Sequence, residues 1–410
     1  YITYMLANFW GGTYDWPAKN YYVGCRRPPD STGFKSYIWD AEGALSSVTI
    51  DNTGSYIFHG VAVPYETLRL NSEFQLRFAD HVQKHLFGNG AATVEAVSNR
   101  YEAVTTFIED AVLAESARWG DQSGTLRTPA DWETRRSYVQ NTYMPQRTAI
   151  VLEHLRDANV YPSIDAPEFN HSGGLVTNGF ALVISAADPV YYTTDGSDPR
   201  AFGSGLATGT LYEGPVSVPH AVQVKARARR TTGGIWSALV DATFSPDNAS
   251  TLQLTELMYN PRDPQGAETN AASSETHFEF IEFQNRGAET IGLADLRLEG
   301  GVQFDFSDSA ILTLDAGEFV LVVRDIEAFS TRYTNAPALN IAGEYQTYDA
   351  FPISTLSNSG EKLKLVDILG RNRVSFTYND ARGWPQSADG AGHSLVPTEL
   401  LNQADGELNH

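Results

Sequence analysis

Tyr14-Asp15-Trp16-Pro17-Ala18-Lys19-Asn20-Tyr21-Tyr22 is the stretch on which the reading of the chain turns. Asn20 follows Asp15 by five positions. Asp-x-x-x-x-Asn is the spacing of a phosphoryl-transfer catalytic loop, in which the Asp takes a hydroxyl proton and the Asn holds a metal ion. A further acid, Asp40, ends the short apolar run 34–39, where such sites place their main metal ligand. Turn chemistry explains the same residues, because Asx side chains bond nearby backbone N–H groups. The surrounding sequence has to decide between the two.

Upstream, Ile2, Met5, Leu6, Phe9 and Trp10 form the stripe of a helix packed on a core, and Gly11-Gly12 ends it. Downstream, strands over about 21–25 and 34–39 flank the turn-rich segment 26–33. Residues 43–64 read as an irregular loop. Helices follow over about 72–87, capped by Asn71 or Ser72, then 93–119, then 130–158 with a bend at Pro145. Tyr161-Pro162-Ser163-Ile164-Asp165-Ala166-Pro167 reads as an extended linker. Beyond it lie strands and turns: about 180–185, 190–194, 222–228 and 238–244, a polar linker at 245–251, then 252–259, 278–284, 290–299, 319–324, 363–367 and 373–378.

The totals describe an ordinary globular protein of two to four domains: 410 residues, 42% hydrophobic and 19% charged. A formal net charge of −21 argues against nonspecific binding to nucleic acid or anionic lipid. The single cysteine, Cys25, permits no intrachain disulfide, and its place in a strand beside basic residues reads as structural. No run is long and apolar enough to span a bilayer. The chain does not open on Met or on a signal-peptide pattern, so it reads as the C-terminal part of a longer protein whose targeting signal has been lost.

Three sets of motifs resemble known families. Asn8-Phe9-Trp10-Gly11-Gly12-Thr13 through Asn20-Tyr21-Tyr22, then Tyr37-Ile38-Trp39-Asp40-Ala41-Glu42, resemble the C-terminal half of a CotH-type (spore coat protein H) atypical kinase. Ala114-Glu115-Ser116-Ala117-Arg118-Trp119-Gly120-Asp121 is similar to a stretch that follows it in bacterial members. Val190-Tyr191-Tyr192-Thr193-Thr194-Asp195-Gly196-Ser197-Asp198-Pro199 resembles a chitobiase C-terminal β-sandwich. Leu254-Thr255-Glu256-Leu257-Met258-Tyr259-Asn260-Pro261, with 278–283, resembles a lamin-tail domain.

The first resemblance implies a secreted bacterial enzyme that moves the ATP γ-phosphate to protein hydroxyls with Mg²⁺. Asp15 then matches the catalytic base, and Asn20 and Asp40 match the metal ligands. Glu42 is a further candidate ligand, set against a solvated acid. Lys19, Arg26 and Arg27 are candidate contacts to phosphate or acidic substrate, set against ordinary surface bases. The sequence departs from ordinary kinases: no His-Arg precedes Asp15, Ala41-Glu42 replaces Phe-Gly, and no Gly-rich loop or Val-Ala-Ile-Lys strand is present. A chain lacking the lobe that grips ATP is expected to be inactive alone.

The expected fold class is therefore multidomain: a mainly α-helical, kinase-like C-lobe (α+β) followed by two all-β immunoglobulin-like sandwiches. The expected domains are 1–165, 166–247 and 248–398, with a polar tail over 399–410. The alternative function is a non-catalytic cell-surface or matrix scaffold or adhesion protein, whose sandwiches bind polysaccharide or protein. Other residues have plainer readings. His81 and His85, at i and i+4 without a metalloprotease Glu between them, read as a solvated helix face. Tyr191 and Tyr192 read as core, and the Asp195/Asp198 segment as a turn without an ion. Glu256, Glu279 and Glu282 read as outward positions of strands. Asn170-His171-Ser172 and Asn248-Ala249-Ser250 match the glycosylation pattern but carry no weight in a bacterial-looking chain.

Overall fold

Helix α1 (Ile2–Gly11) forms where the apolar stripe predicts it, and it buries Met5, Leu6 and Phe9. Gly12 follows in the left-handed region, at φ 57°. A Cβ there would lie 3.3 Å from the Tyr143 hydroxyl, so glycine answers both the backbone and the space. The C-terminal carbonyls of α1 are taken by buried side chains. Arg147 Nε donates to Trp10 O at 2.8 Å, Tyr143 Oη donates to the same oxygen at 2.7 Å, and Arg147 Nη2 donates to Phe9 O. Arg147 is fully buried, and these acceptors are the groups a helix end leaves unpaired.

The computed structural model describes residues 1–397 apart from 30, 55–59, 123, 178, 247–250, 335–338, 347–354 and 382. The tail expected over 399–410 and the Asn248 motif lie outside the described residues. The chain divides into two compact units. One comprises Tyr1–Ser172, Val183–Pro215 and Val224–Asp241; the other comprises Gly173–Leu182, Val216–Gln223 and Ala242–His410.

In the first unit, strands β1 (Tyr21–Gly24) and β2 (Lys35–Ile38) pair antiparallel, with Tyr22 opposite Tyr37. Helices α2 (Val63–Leu68), α3 (Ser72–Leu86), α4 (Val94–Trp119), α5 (Pro129–Tyr138) and α6 (Met144–Asp157) follow. The expected cap holds: Asn71 accepts from the amides of Glu73 and Phe74 at 2.9 and 3.1 Å. Between α5 and α6 the chain makes a π turn, Val139–Tyr143, and Pro145 sits in the first turn of α6. The backbone stays helical from α5 through the π turn into α6, so the expected mid-helix bend at Pro145 takes the form of a π turn just before it. The heptapeptide read as a linker is instead packed: Tyr161 and Ile164 are buried.

The expectation of a kinase-like helical lobe is corrected. Helix α4 buries only Thr105, and α5 buries no side chain. The core of the unit is built from α1, α3 and α6 with Trp16, Tyr65 and Tyr161, and it also takes in Ala238 from the β-rich part of the chain. The β1–β2 ribbon is mostly exposed.

From residue 168 the chain turns to short strands: β3 (Glu168–Phe169), β4 (Gly174–Val176), β5 (Ala181–Leu182), β6 (Ile184–Ser185), β7 (Val190–Thr193), β8 (Thr210–Leu211), β9 (Val216–Ser217), β10 (Val222–Ala228) and β11 (Val240–Pro246). Within the first unit, β7 pairs antiparallel with β8 and with residues Lys225–Ala228 of β10, and β3 pairs with β6. Arg227 is the buried charge of this unit. It reaches Asp80 of α3 at 2.7 and 2.8 Å, Asp198 at 2.8 and 2.7 Å, and Ser237 O at 2.9 Å. Burial pulls down the pKa of the guanidinium, but the two carboxylates outweigh it and the net shift is upward. A second pair, Arg200 with Glu73, again joins the β-rich segment to α3.

The second unit is a sandwich. Strands β12 (Leu252–Met258), β13 (Phe280–Asn285), β18 (Phe319–Val323) and β19 (Ile341–Glu344) form one sheet in that order. Strands β16 (Phe304–Asp305), β15 (Leu296–Glu299), β20 (Glu361–Asp367) and β21 (Asn372–Tyr378) form the other, and β14 (Ile291–Gly292) pairs with β17 (Thr313–Leu314). Leu254, Ile281, Phe283 and Val322 meet Leu298, Leu365, Val374 and Phe376 in one core. The outer face of the first sheet is covered as well: Phe280, Leu321 and Val323 pack with Phe329 of α7 (Ile326–Arg332). The expected all-β immunoglobulin-like sandwich is therefore corrected. β18 and β19 run parallel, and α7 lies in the crossover that parallel strands require.

Glu279 also departs from expectation. It precedes β13, follows a 3₁₀ turn (Glu275–Phe278), and is fully buried instead of outward. One carboxyl oxygen accepts from Leu356 N at 2.8 Å, and the other has no hydrogen-bond partner among the described residues. Burial pushes its pKa up to about 8.

Candidate functional site: an exposed aromatic hairpin

The residues singled out around Asp15 converge on the base of the β1–β2 ribbon. Asp15, Asn20 and Asp40 all adopt left-handed backbone, at φ 66°, 63° and 51°. Asn and Asp are the non-glycine residues that enter this region most readily, because their short side chains bond locally. Asn20 Nδ2 donates to the backbone carbonyl of Asp40 at 3.1 Å, beside the Tyr21–Ile38 pair, and closes the base of the hairpin. Lys19 lies over Asp15, Nζ to Oδ2 at 2.9 Å, and its amide donates to Asp15 O at 3.1 Å. The hydrogen bond to Asp15 raises the pKa of Lys19. Glu42 is exposed.

The Asn20–Asp40 contact thus runs through an amide nitrogen and a main-chain oxygen. Among the described residues, no group of three or more His, Cys, Asp or Glu side chains is arranged to hold a metal ion.

The ribbon above this base carries a feature that the sequence reading missed. Tyr14, Tyr22, Phe34, Tyr37 and Trp39 are 70%, 62%, 82%, 50% and 65% exposed, although large aromatics in strands ordinarily face a core. Tyr22 and Tyr37 lie opposite each other, with ring centroids 6.3 Å apart at 47°. Their neighbour Trp16 shows the usual behaviour. It is buried, donates to Tyr4 Oη at 2.9 Å, and meets Phe9 edge-on at 5.7 Å. Beyond β1, Cys25 is exposed, not structural, and its thiol donates to Arg26 O at 3.2 Å. Arg26, Arg27 and Lys35 are exposed near the tip, without ion-pair partners among the described residues.

Other candidates resolve into structure. Asp195 accepts from the Ser197 amide and hydroxyl at 2.9 and 2.6 Å, a turn needing no ion, while Asp198 is occupied by Arg227. Tyr191 lies 5.6 Å from Trp236, and Tyr192 lies 6.3 Å from Tyr212. His81 and His85 are partly buried, and their rings point at Thr3 Oγ1 at 3.1 and 3.3 Å, so this face is not simply solvated. Burial lowers the pKa of both.

A family model described as "Fn3 associated" matches residues 182–244. No curated protein matches the chain. Among solved structures, a DUF4876 family protein from Bacteroides thetaiotaomicron is 14% identical, with a TM-score of 0.20, and the match covers 47% of this chain and 64% of that one. The N-terminal part of the bacterial S-layer protein SbsC is 12% identical, with a TM-score of 0.13, and the match covers 78% of this chain and 72% of that one. Likenesses this weak carry no argument about fold or function.

The expected membership of the CotH kinase family, with a chitobiase-type and a lamin-tail sandwich, is overturned. The matching family is the Fn3-associated one, over a segment that includes the supposed chitobiase motif, and the described residues contain no kinase-like helical domain. No helix among the described residues is long and apolar enough to cross a membrane.

Proposed function

We infer that the chain is a non-catalytic cell-surface or matrix scaffold protein that binds carbohydrate. The observation that carries this reading is the set of five exposed aromatic side chains on and beside one hairpin. Sugar rings offer apolar C–H faces that stack on aromatic rings, and a rigid platform binds with little ordering cost. In this reading Asp15, Asn20 and Asp40 are positioning residues: they fix the turns from which the platform projects. The Fn3-associated segment supports the reading as a β-rich module of a multi-part binding protein.

The test is affinity electrophoresis of the full chain through gels containing soluble polysaccharides, with Tyr22→Ala/Tyr37→Ala alongside. Retardation by at least one polymer, lost in the variant while its unfolding temperature is kept, is the expected result. Absence of retardation by every polymer, or equal retardation of both proteins, refutes it.

A further inference from the structure

We propose that the hairpin selects an acidic polysaccharide, one whose pyranose rings carry spaced carboxylates. This deepens the carbohydrate-binding reading and rests on it. The chain carries 29 basic against 50 acidic residues, yet residues 16–39 contain Lys19, Arg26, Arg27 and Lys35 against a single acid at position 30. Lys19 is engaged by Asp15. Arg26, Arg27 and Lys35 are exposed, have no ion-pair partner among the described residues, and lie between Tyr22 and Tyr37 in the sequence.

The layout fits a polymer lying across one face of the ribbon. Side chains two apart in a strand share a face, so Lys35 and Tyr37 lie on one face of β2, with Tyr22 across from Tyr37. Phe34 has the other parity, and the two arginines follow the end of β1. Two rings and one cation therefore share a face, with two further cations in the adjoining loop. Arginine suits carboxylates because its planar fork can take both oxygens, and it also stacks on flat surfaces. The occupant needs an apolar ring face for each aromatic and a carboxylate for each cation, which a uronic-acid polymer supplies. Nucleic acid also offers rings and anions, but its charge is far denser, with one phosphate per ~1.7 Å of duplex axis. A chain of net charge −21 that offers three such cations on the ribbon and its loop is poorly suited to it.

The experiment titrates the full chain by calorimetry with alginate, dextran and a single-stranded oligonucleotide. It uses wild type, Arg26→Gln/Arg27→Gln/Lys35→Gln, and Tyr22→Ala/Tyr37→Ala, each checked for an unchanged unfolding temperature. Wild type is expected to bind alginate at least about tenfold more tightly than dextran. The charge variant should lose that preference and keep the dextran affinity; the tyrosine variant should lose both. Raising NaCl should weaken alginate binding in wild type and leave dextran unaffected. Equal affinity for alginate and dextran, or alginate binding unchanged in the charge variant, overturns this inference and leaves carbohydrate binding standing. Tightest binding to the oligonucleotide overturns it in favour of nucleic acid. Failure to bind any polysaccharide overturns both readings.

Discussion

Replacing Glu279 by Gln should stabilise the second unit at neutral pH and leave it little changed in acid. The carboxyl is fully buried, with one oxygen on Leu356 N and the other without a partner among the described residues. Its pKa is near 8 in the fold, against an ordinary 4.5. Below pH 4.5 the group is protonated in both folded and unfolded chains, and it imposes no penalty. As pH rises from 4.5 to 8 only the unfolded chain releases the proton, so stability falls; above 8 the loss is complete and constant. Each decade of proton affinity corresponds to about 1.4 kcal/mol. At pH 7 the interval of about 2.5 decades gives a penalty of about 3 kcal/mol, and the full interval gives about 5 kcal/mol. Glutamine keeps an oxygen for Leu356 N and has no proton to lose. The assay is hydrogen exchange of the amides of β13 and β20 in the full chain at pH 5 and pH 8, corrected for intrinsic rates. Other titrating groups cancel in the difference between variant and wild type. The variant should gain at least about 2 kcal/mol more protection at pH 8 than at pH 5. An equal difference at the two pH values refutes the reasoning.

Two further substitutions probe the first unit. Arg227→Met leaves Asp80 and Asp198 facing each other without the cation between them, and it should cost about 3–5 kcal/mol in urea unfolding monitored by exchange in α3. Adding Asp80→Asn and Asp198→Asn should recover much of that loss, and no recovery refutes the pairing argument. Asp40→Gly should stay within about 1 kcal/mol of wild type, because glycine accepts φ 51° freely, whereas Asp40→Val should cost roughly 1–2 kcal/mol. Exchange protection of the amides in β1 and β2 reads both, and equal effects would show that the backbone conformation is not what holds that residue.

Local patterns carried the helices and long strands into the sequence reading. Asn71 caps α3 because an Asx residue precedes a helical stripe, and α4 covers nearly the expected stretch. Strands β10, β12, β20 and β21 were legible from their runs of apolar residues. What was not legible depends on partners distant in the sequence. Glu279 looks outward if Phe280 is taken as inward, but the inner face belongs to Ile281 and Phe283, whose parity Glu279 shares, while Phe280 packs under α7. The aromatics of 34–39 look like core because their residue type usually is, and nothing local states that the ribbon leaves Phe34, Tyr37 and Trp39 exposed. Arg227 alternates with alanines as a surface residue would, and only Asp80, 147 positions away, makes it a buried one. The Asp15–Asn20–Asp40 spacing had two readings, and the left-handed backbone at all three adds weight to turn chemistry.

The π turn at Val139–Tyr143 sets a constraint of a different kind. An α-helix rotates about 100° per residue, so deleting one residue there to restore regular winding would swing everything after it by that angle. Arg147 would leave the carbonyls of Phe9 and Trp10, while the apolar content of the segment would be unchanged. This stretch should therefore accept many substitutions in related chains and almost no change of length: what is held fixed is the residue count, more than the residues.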